Sequence, residues 1–161
     1  MRLIIQDFKF YKKNSFSKKS IAVLINPCFH AMLLYRISNW LYLNKLGFIS
    51  KFIWLINRII FNVDIDYRAK INGGVMLVHG LGVVIGSEVE IMSNVKIYQG
   101  VTIGGNNGQK LKYNNKIITQ PVINENVTIG PNSMIFGPVI IHKNKFIKAG
   151  EIISSNLKNI N

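Results

Sequence analysis

Between residues 63 and 153 an aliphatic side chain returns every six positions. The series runs Ile65, Ile71 and Leu77, then after two extra residues Ile85, Ile91, Ile97 and Ile103, and after a longer interruption Ile123, Ile129, Ile135, Ile141, Ile147 and Ile153. A fixed self-similar period marks a solenoid, and a period of six marks a β-helix. The fourth place of the hexad carries an independent signal: Gly74, Gly80, Asn94, Gly100, Asn106, Asn126, Asn132, Asn144 and Gly150. Gly and Asn enter positive φ at least cost, and a chain that turns a corner every six residues needs them at one phase. An ordinary sheet of alternating apolar residues explains neither regularity. The aliphatic position is expected to point inward and to stack on its counterpart one coil later.

Residues 1–61 follow a different rule. Leu33, Ile37, Trp40 and Leu41, then Phe52, Ile56, Ile59 and Ile60, recur at helical spacing. This predicts two helices, roughly 28–43 and 48–61, broken near Asn44–Gly47. Ahead of them a weakly ordered lead-in is expected, carrying Lys9, Lys12, Lys13, Lys18 and Lys19. The chain therefore divides into a helical segment, 1–61, and a mainly β solenoid, 62–161. Within the latter, residues 105–121 (GNNGQKLKYNNKIITQP) lose the Ile register and crowd Asn, Lys and Gly together. The register resumes twenty residues after Ile103, which counts as one eighteen-residue coil plus two. We read 105–121 as a loop ejected from a corner, a place where function is often carried.

Composition changes this picture little. Among 161 residues, 48% are apolar and 17% charged, as a folded domain requires. Twenty Lys and Arg against seven Asp and Glu give a net charge of +13, which favours anionic partners. The basic residues are scattered without an interleaved aromatic motif, which argues against nucleic acid. Cys28 is the one cysteine, set in an apolar stretch and read as a packing residue in a reducing compartment. The N-terminus does not resemble a signal peptide, and no apolar run approaches the roughly 20 residues of a membrane span. A cytoplasmic protein is expected. The Lys-rich N-terminus with Trp40 and Trp54 is compatible with peripheral contact to anionic lipid at the inner membrane face.

The stretch from Val63 to Gly105, VDIDYRAKINGGVMLVHGLGVVIGSEVEIMSNVKIYQGVTIGG, resembles the serine acetyltransferase family. FHAMLLYRISNWLY (Phe29 to Tyr42) and PVINENVTIGPNSMIFGPVII downstream are similar to that family's preceding helices and later coils. The most specific feature is the VDI triplet followed fifteen residues later by a His, inside a hexad with two extra residues. The resemblance implies a homotrimeric left-handed β-helix, or a dimer of trimers, that binds acetyl-CoA between subunits and uses a His–Asp dyad. Carried over, the dyad is His79 and Asp64, with Asp66 as the rival carboxylate. The chemistry agrees: a hydroxyl attacking a thioester must lose its proton, and imidazole titrates near neutrality. A carboxylate on the other ring nitrogen would fix the tautomer and offset the imidazolium charge. For acetyl-CoA, Gly104, Gly105, Lys148 and Ala149 are the candidates by position. His30 and His142 are read as structural or solvated, and no His or Cys cluster suggests a metal.

The sequence also departs from that family. Val78 stands where the family has an Asp before the catalytic His, and Thr119 and Gln120 stand where it has an Arg-His pair. Three neutral residues offer nothing to the two charges of free serine, whereas the amide-rich loop suits neutral hydroxyls. We therefore expect an acetyl-CoA-dependent O-acetyltransferase acting on a saccharide hydroxyl, with Val78, Tyr113 and Gln120 at the acceptor. Serine O-acetylation is the alternative. A basic trimeric scaffold that binds anions is the non-enzymatic one.

Overall fold

The computed structural model describes residues 2–154. Four helices come first: α1 (Arg2–Asn14), α2 (Ser20–Leu24), α3 (Pro27–Leu43) and α4 (Gly47–Phe61). Asn26 caps α3 by accepting a hydrogen bond from the Cys28 amide at 2.9 Å, with Pro27 in the first turn, where its missing N–H costs nothing. α3 and α4 form a hairpin sealed by a reciprocal pair: the Ser38 hydroxyl donates to the Ser50 carbonyl at 2.7 Å, and the Ser50 hydroxyl to the Ser38 carbonyl at 2.8 Å. The expected weakly ordered lead-in is instead α1. Asp7 and Tyr11, one helical turn apart, are buried with Phe8 packed beside them, while Lys9 and Lys12 face outward. Tertiary contact supplies what the short basic segment lacks by itself.

The rest is a parallel β-helix with three faces. The first face stacks β1 (Asp64–Ile65), β4 (Val84–Ile85), β7 (Thr102–Gly104), β12 (Met134–Phe136) and β15 (Ile152–Ser154). The second stacks β2 (Lys70–Ile71), β5 (Glu90–Ile91), β10 (Val122–Ile123) and β13 (Ile140–Ile141). The third stacks β3 (Met76–Val78), β6 (Lys96–Tyr98), β11 (Thr128–Ile129) and β14 (Phe146–Ile147). In every pair the predicted aliphatic residues are partners, among them Ile65 with Ile85, Ile91 with Ile123, and Ile135 with Ile153. Two places earlier in the hexad a second buried column runs through Val63, Ala69, Val75, Val83, Val89, Val95, Val101 and Val127, which the six-residue count had not singled out. The expected β-helix domain extends to residue 161; residues 155–161 lie outside the described residues.

Two details of the register differ from expectation. Of the nine Gly/Asn positions, seven have positive φ: Gly74, Asn94, Gly100, Asn126, Asn132, Asn144 and Gly150. Around Gly80 and Asn106 the positive φ falls on His79 (57°), Gly82 (70°) and Asn107 (47°) instead, because extra residues shift the corner. Residues 105–121 also replace no coil. Ile103 lies on the first face and Ile123 on the second, paired with Ile91, so the insertion occupies a single corner. It folds into a hairpin of β8 (Leu111–Tyr113) and β9 (Lys116–Ile118). Asn114 (48°) and Asn115 (61°) form its two-residue turn with both φ positive, as a tight hairpin demands.

The lowest coil would expose unpaired backbone groups, and the helices satisfy them. The Tyr35 hydroxyl donates to the Ala69 carbonyl at 2.7 Å, and the Asn39 amide to the Tyr67 carbonyl at 2.7 Å. The Arg36 guanidinium donates to the Asn72 carbonyl at 2.7 Å and also to that of Ile71. Asp7 accepts from the amides of Gly74 (2.8 Å) and Val75 (3.1 Å).

Candidate active site

His79 lies in the corner that joins β3 to β4, where two extra residues widen the turn. It adopts left-handed backbone geometry, uncommon for a side chain larger than Gly or Asn, and its ring is exposed. Helices hold the turn from below. The Tyr11 hydroxyl accepts from the Leu77 amide at 2.9 Å and donates to the Cys28 carbonyl at 3.0 Å. The Gly80 amide donates to Cys28 Sγ at 3.2 Å, and a Cβ at Gly80 would stand 3.2 Å from the Leu77 side chain. Cys28 is thus more than filler: its backbone and its sulfur both support the turn. His30 is structural, with Nε2 2.6 Å from the Leu24 carbonyl, and His142 is exposed.

Asp64 occupies the same corner. The Gly82 amide donates to the Asn62 carbonyl at 2.8 Å and the Asp64 amide to the Val83 carbonyl at 2.8 Å, so the His79 turn stacks on the start of β1. The Asp64 carboxylate is engaged from α4: Trp54 Nε1 donates to Oδ1 at 3.0 Å, and the Arg58 guanidinium lies 3.2 Å from Oδ2. Among the described residues it makes no hydrogen bond to His79. Asp66 sits at the next corner, between β1 and β2, bound by the Arg68 backbone amide at 2.8 Å and by its guanidinium at 2.8 and 2.9 Å. Burial by itself would raise the Asp66 carboxyl, but the hydrogen bonds and charge of Arg68 outweigh it and hold the group below its ordinary value. Placement therefore separates the two carboxylates: Asp64 shares the corner of His79, and Asp66 does not. Trp54 and Arg58 were not expected at this corner, Trp54 being given only to packing or lipid contact. The available signal was their one-turn spacing in α4, just ahead of the VDI triplet.

The remaining candidates are spread out. Val78 is half-buried at the end of β3, beside His79. Tyr113 lies in the hairpin across from Lys116, on the corner between the first and second faces. Gln120 does not reach toward Val78: its Oε1 accepts from the Glu88 amide at 3.1 Å, while the Thr119 hydroxyl donates to the Glu88 carboxylate, fastening the hairpin base. Gly104 ends β7 and Gly105 follows it at that same corner. Lys148 and Ala149 are exposed at the corner between β14 and β15, stacked two coils above Gly100. Also on the His79 side, Gln99 Oε1 is buried without a hydrogen-bond partner among the described residues. A cleft of about 770 Å³ opens beside the hairpin, lined by Tyr42, Arg68, Lys70, Glu88, Ile118 and Thr119, and it does not include His79. Among the described residues no group of three His, Cys, Asp or Glu is placed to hold a metal ion, and no helix is long and apolar enough to cross a membrane.

No protein-family profile matches the chain. A serine acetyltransferase of Helicobacter pylori is 33% identical over 135 residues, which covers 84% of this chain and 75% of the relative. The chain belongs to the serine acetyltransferase family. A serine acetyltransferase of Buchnera aphidicola is 35% identical over 161 residues, and one of Synechococcus elongatus 29% over 154. The chain spans 56% and 61% of those two relatives. The Neisseria gonorrhoeae serine acetyltransferase in complex with serine superposes with a TM-score of 0.83 at 29% identity, over 95% of this chain and 63% of that one. A serine acetyltransferase complex with CoA gives 0.82 at 27%, over 92% and 60%. Membership of this family makes the parallel β-helix left-handed.

The expected saccharide acceptor does not stand. Relatives from Helicobacter, Bacillus and Synechococcus bear the name serine acetyltransferase, and the Neisseria neighbour holds serine itself. The expectation counted charge only at Val78, Thr119 and Gln120. The structure also brings Arg58 of α4 to Asp64, at the corner of His79.

Proposed function

We propose that this chain transfers the acetyl group of acetyl-CoA to the hydroxyl of L-serine, with His79 as general base and Asp64 as its orienting carboxylate. The observation that carries the reading is His79 itself: an exposed imidazole held in left-handed geometry on a braced turn, sharing its corner with Asp64. As the serine oxygen attacks the thioester carbonyl, the imidazole takes the hydroxyl proton, and the tetrahedral intermediate collapses with release of CoA thiol. The Asp64 side chain is 30% exposed, so rotation can exchange a helix partner for the His79 ring when substrates bind. The names of the relatives, and of neighbours solved with CoA and with serine, support the donor and the acceptor.

We propose that the working unit is a trimer. Gly104, Gly105 and Tyr113 stand at one corner of the prism, and His79, Lys148 and Ala149 at another. A site that uses both sets takes them from neighbouring copies, which closed threefold symmetry provides. The direct test is thiol release from acetyl-CoA by the purified chain, with and without L-serine. Serine-dependent release that is abolished in His79→Ala supports the reading. Release indifferent to serine, or to His79, rejects it.

A further inference from the structure

Val78, Tyr113 and Gln120, the residues expected around the acceptor, are all neutral. A free amino acid nevertheless brings a carboxylate into a partly dry site, where an unpaired charge is heavily penalised. The fold supplies a cation at the His79 corner. Arg58 lies in the last turn of α4, just before the left-handed Asn62 (φ 51°) reverses the chain into β1. Its guanidinium rests over the Trp54 ring, 5.7 Å from the centroid, and 3.2 Å from Asp64 Oδ2. Trp54 in turn donates to Asp64 Oδ1, so ring and guanidinium meet at the same carboxylate. The Arg58 side chain is still 54% exposed. A guanidinium has five N–H donors in a planar fork, and a second oxyanion can use those that Asp64 leaves.

We infer that Arg58 is the specificity-determining anchor for the carboxylate of the amino-acid acceptor, placing its hydroxyl at His79. The inference rests on the proposed acetylation of serine. It accounts for how a site with neutral residues at the expected acceptor positions selects an amino acid: the charge is delivered from the helix ahead of the solenoid. One Arg bridging two carboxylates, its own Asp64 and the ligand's, is within the geometry of the group.

The test compares L-serine with L-serinamide, which keeps the hydroxyl and the ammonium and lacks the carboxylate. Binding of each to the full chain is measured by titration calorimetry, and turnover by thiol release. The wild-type chain should bind serine at least about 10-fold more tightly than serinamide. Arg58→Gln should abolish that preference and leave acetyl-CoA binding unchanged, while Arg58→Lys should keep part of it. Arg58 is exposed, so both variants should fold, which melting curves verify. Equal binding of serine and serinamide by the wild type overturns the inference. So does a preference that survives in Arg58→Gln, or a loss that falls on acetyl-CoA instead. Serine preference without thiol release supports the anchor and rejects the acetyl-transfer reading. Serine-dependent release with an unchanged KM for serine in Arg58→Gln rejects the anchor alone.

Discussion

Asp7 and Arg36 form an ion pair at 2.8 Å whose side chains are only 2% and 4% exposed, joining the first helix to the third beneath the lowest coil of the solenoid. Neither charge is isolated. Asp7 also receives two backbone amides of the coil, and Arg36 donates to two of its carbonyls. The pair stands where another coil would otherwise have to continue the ladder. Removing one partner leaves a buried charge and unsatisfied backbone, a change that typically costs about 3–5 kcal/mol. Asp7→Ala should lower stability by that amount in denaturant titration, against well under 1 kcal/mol for Lys9→Ala on the exposed side of the same helix.

Tyr11 and Tyr35 make stability fall at high pH. Burial raises both phenols, Tyr35 from 10.0 to about 12 and Tyr11 well above 10.0, with the charge of Arg36 opposing the shift in Tyr35. Because the folded pKa lies above the unfolded one, the contribution is complete below about pH 10 and is lost as pH rises from there toward about 12. Tyrosinate absorbance and circular dichroism should therefore report ionisation of these two groups together with unfolding. Tyr35→Phe should make the alkaline transition shallower, although the loss of its hydrogen bond to Ala69 lowers stability at neutral pH by about 1–3 kcal/mol.

His79 combines a proposed chemical role with an unfavourable backbone angle, and two substitutions separate these. His79→Ala and His79→Gly should both reduce turnover by about 10² to 10⁴, the usual contribution of a general base. Only glycine relieves the left-handed strain, so the Gly variant should melt above the Ala variant, by roughly 1 kcal/mol of stability. Asp64→Asn should cost activity, though less than loss of the base, and Asp66→Asn should leave turnover nearly unchanged. A larger effect at Asp66 would reassign the carboxylate.

The inward register makes a sharp stability prediction. Ile129 is fully buried, and an aspartate there would be an unpaired charge inside the prism. Ile117, in the hairpin, is 69% exposed. Ile129→Asp should prevent folding or lower the melting temperature by many degrees, and Ile117→Asp should change it little. Similar melting of the two variants would disprove the assigned phase.

If the site is shared between copies, mass in solution and activity must go together. Light scattering should give three chains or a multiple of three, with specific activity falling on dilution as the assembly dissociates. A fully active monomer would refute a site built from two chains.

By itself the sequence determined the solenoid, because a repeating coil writes its period into the chain. The Ile column and most Gly and Asn corners could be read directly from spacing, and the two long helices from their apolar stripes. The segment 105–121 was legible only as an ejected loop; its hairpin, which turns at Asn114–Asn115 with both φ positive, came from the structure. His79 and Asp64 could be proposed because the VDI triplet and the His fifteen residues later resemble the pattern of the serine acetyltransferase family. What the tertiary structure alone decided depends on contacts between segments that share no period. Nothing in the lysine-rich first residues announced that Asp7 and Tyr11 would close the lowest coil 66 to 68 residues away. The count of twenty from Ile103 to Ile123 did not reveal whether a coil or a corner had been enlarged; the pairing of Ile91 with Ile123 did. Charge near His79 was likewise invisible along the chain. A helix end and a strand start, reversed at one left-handed asparagine, bring Arg58 and Trp54 onto Asp64, and only folding creates that neighbourhood.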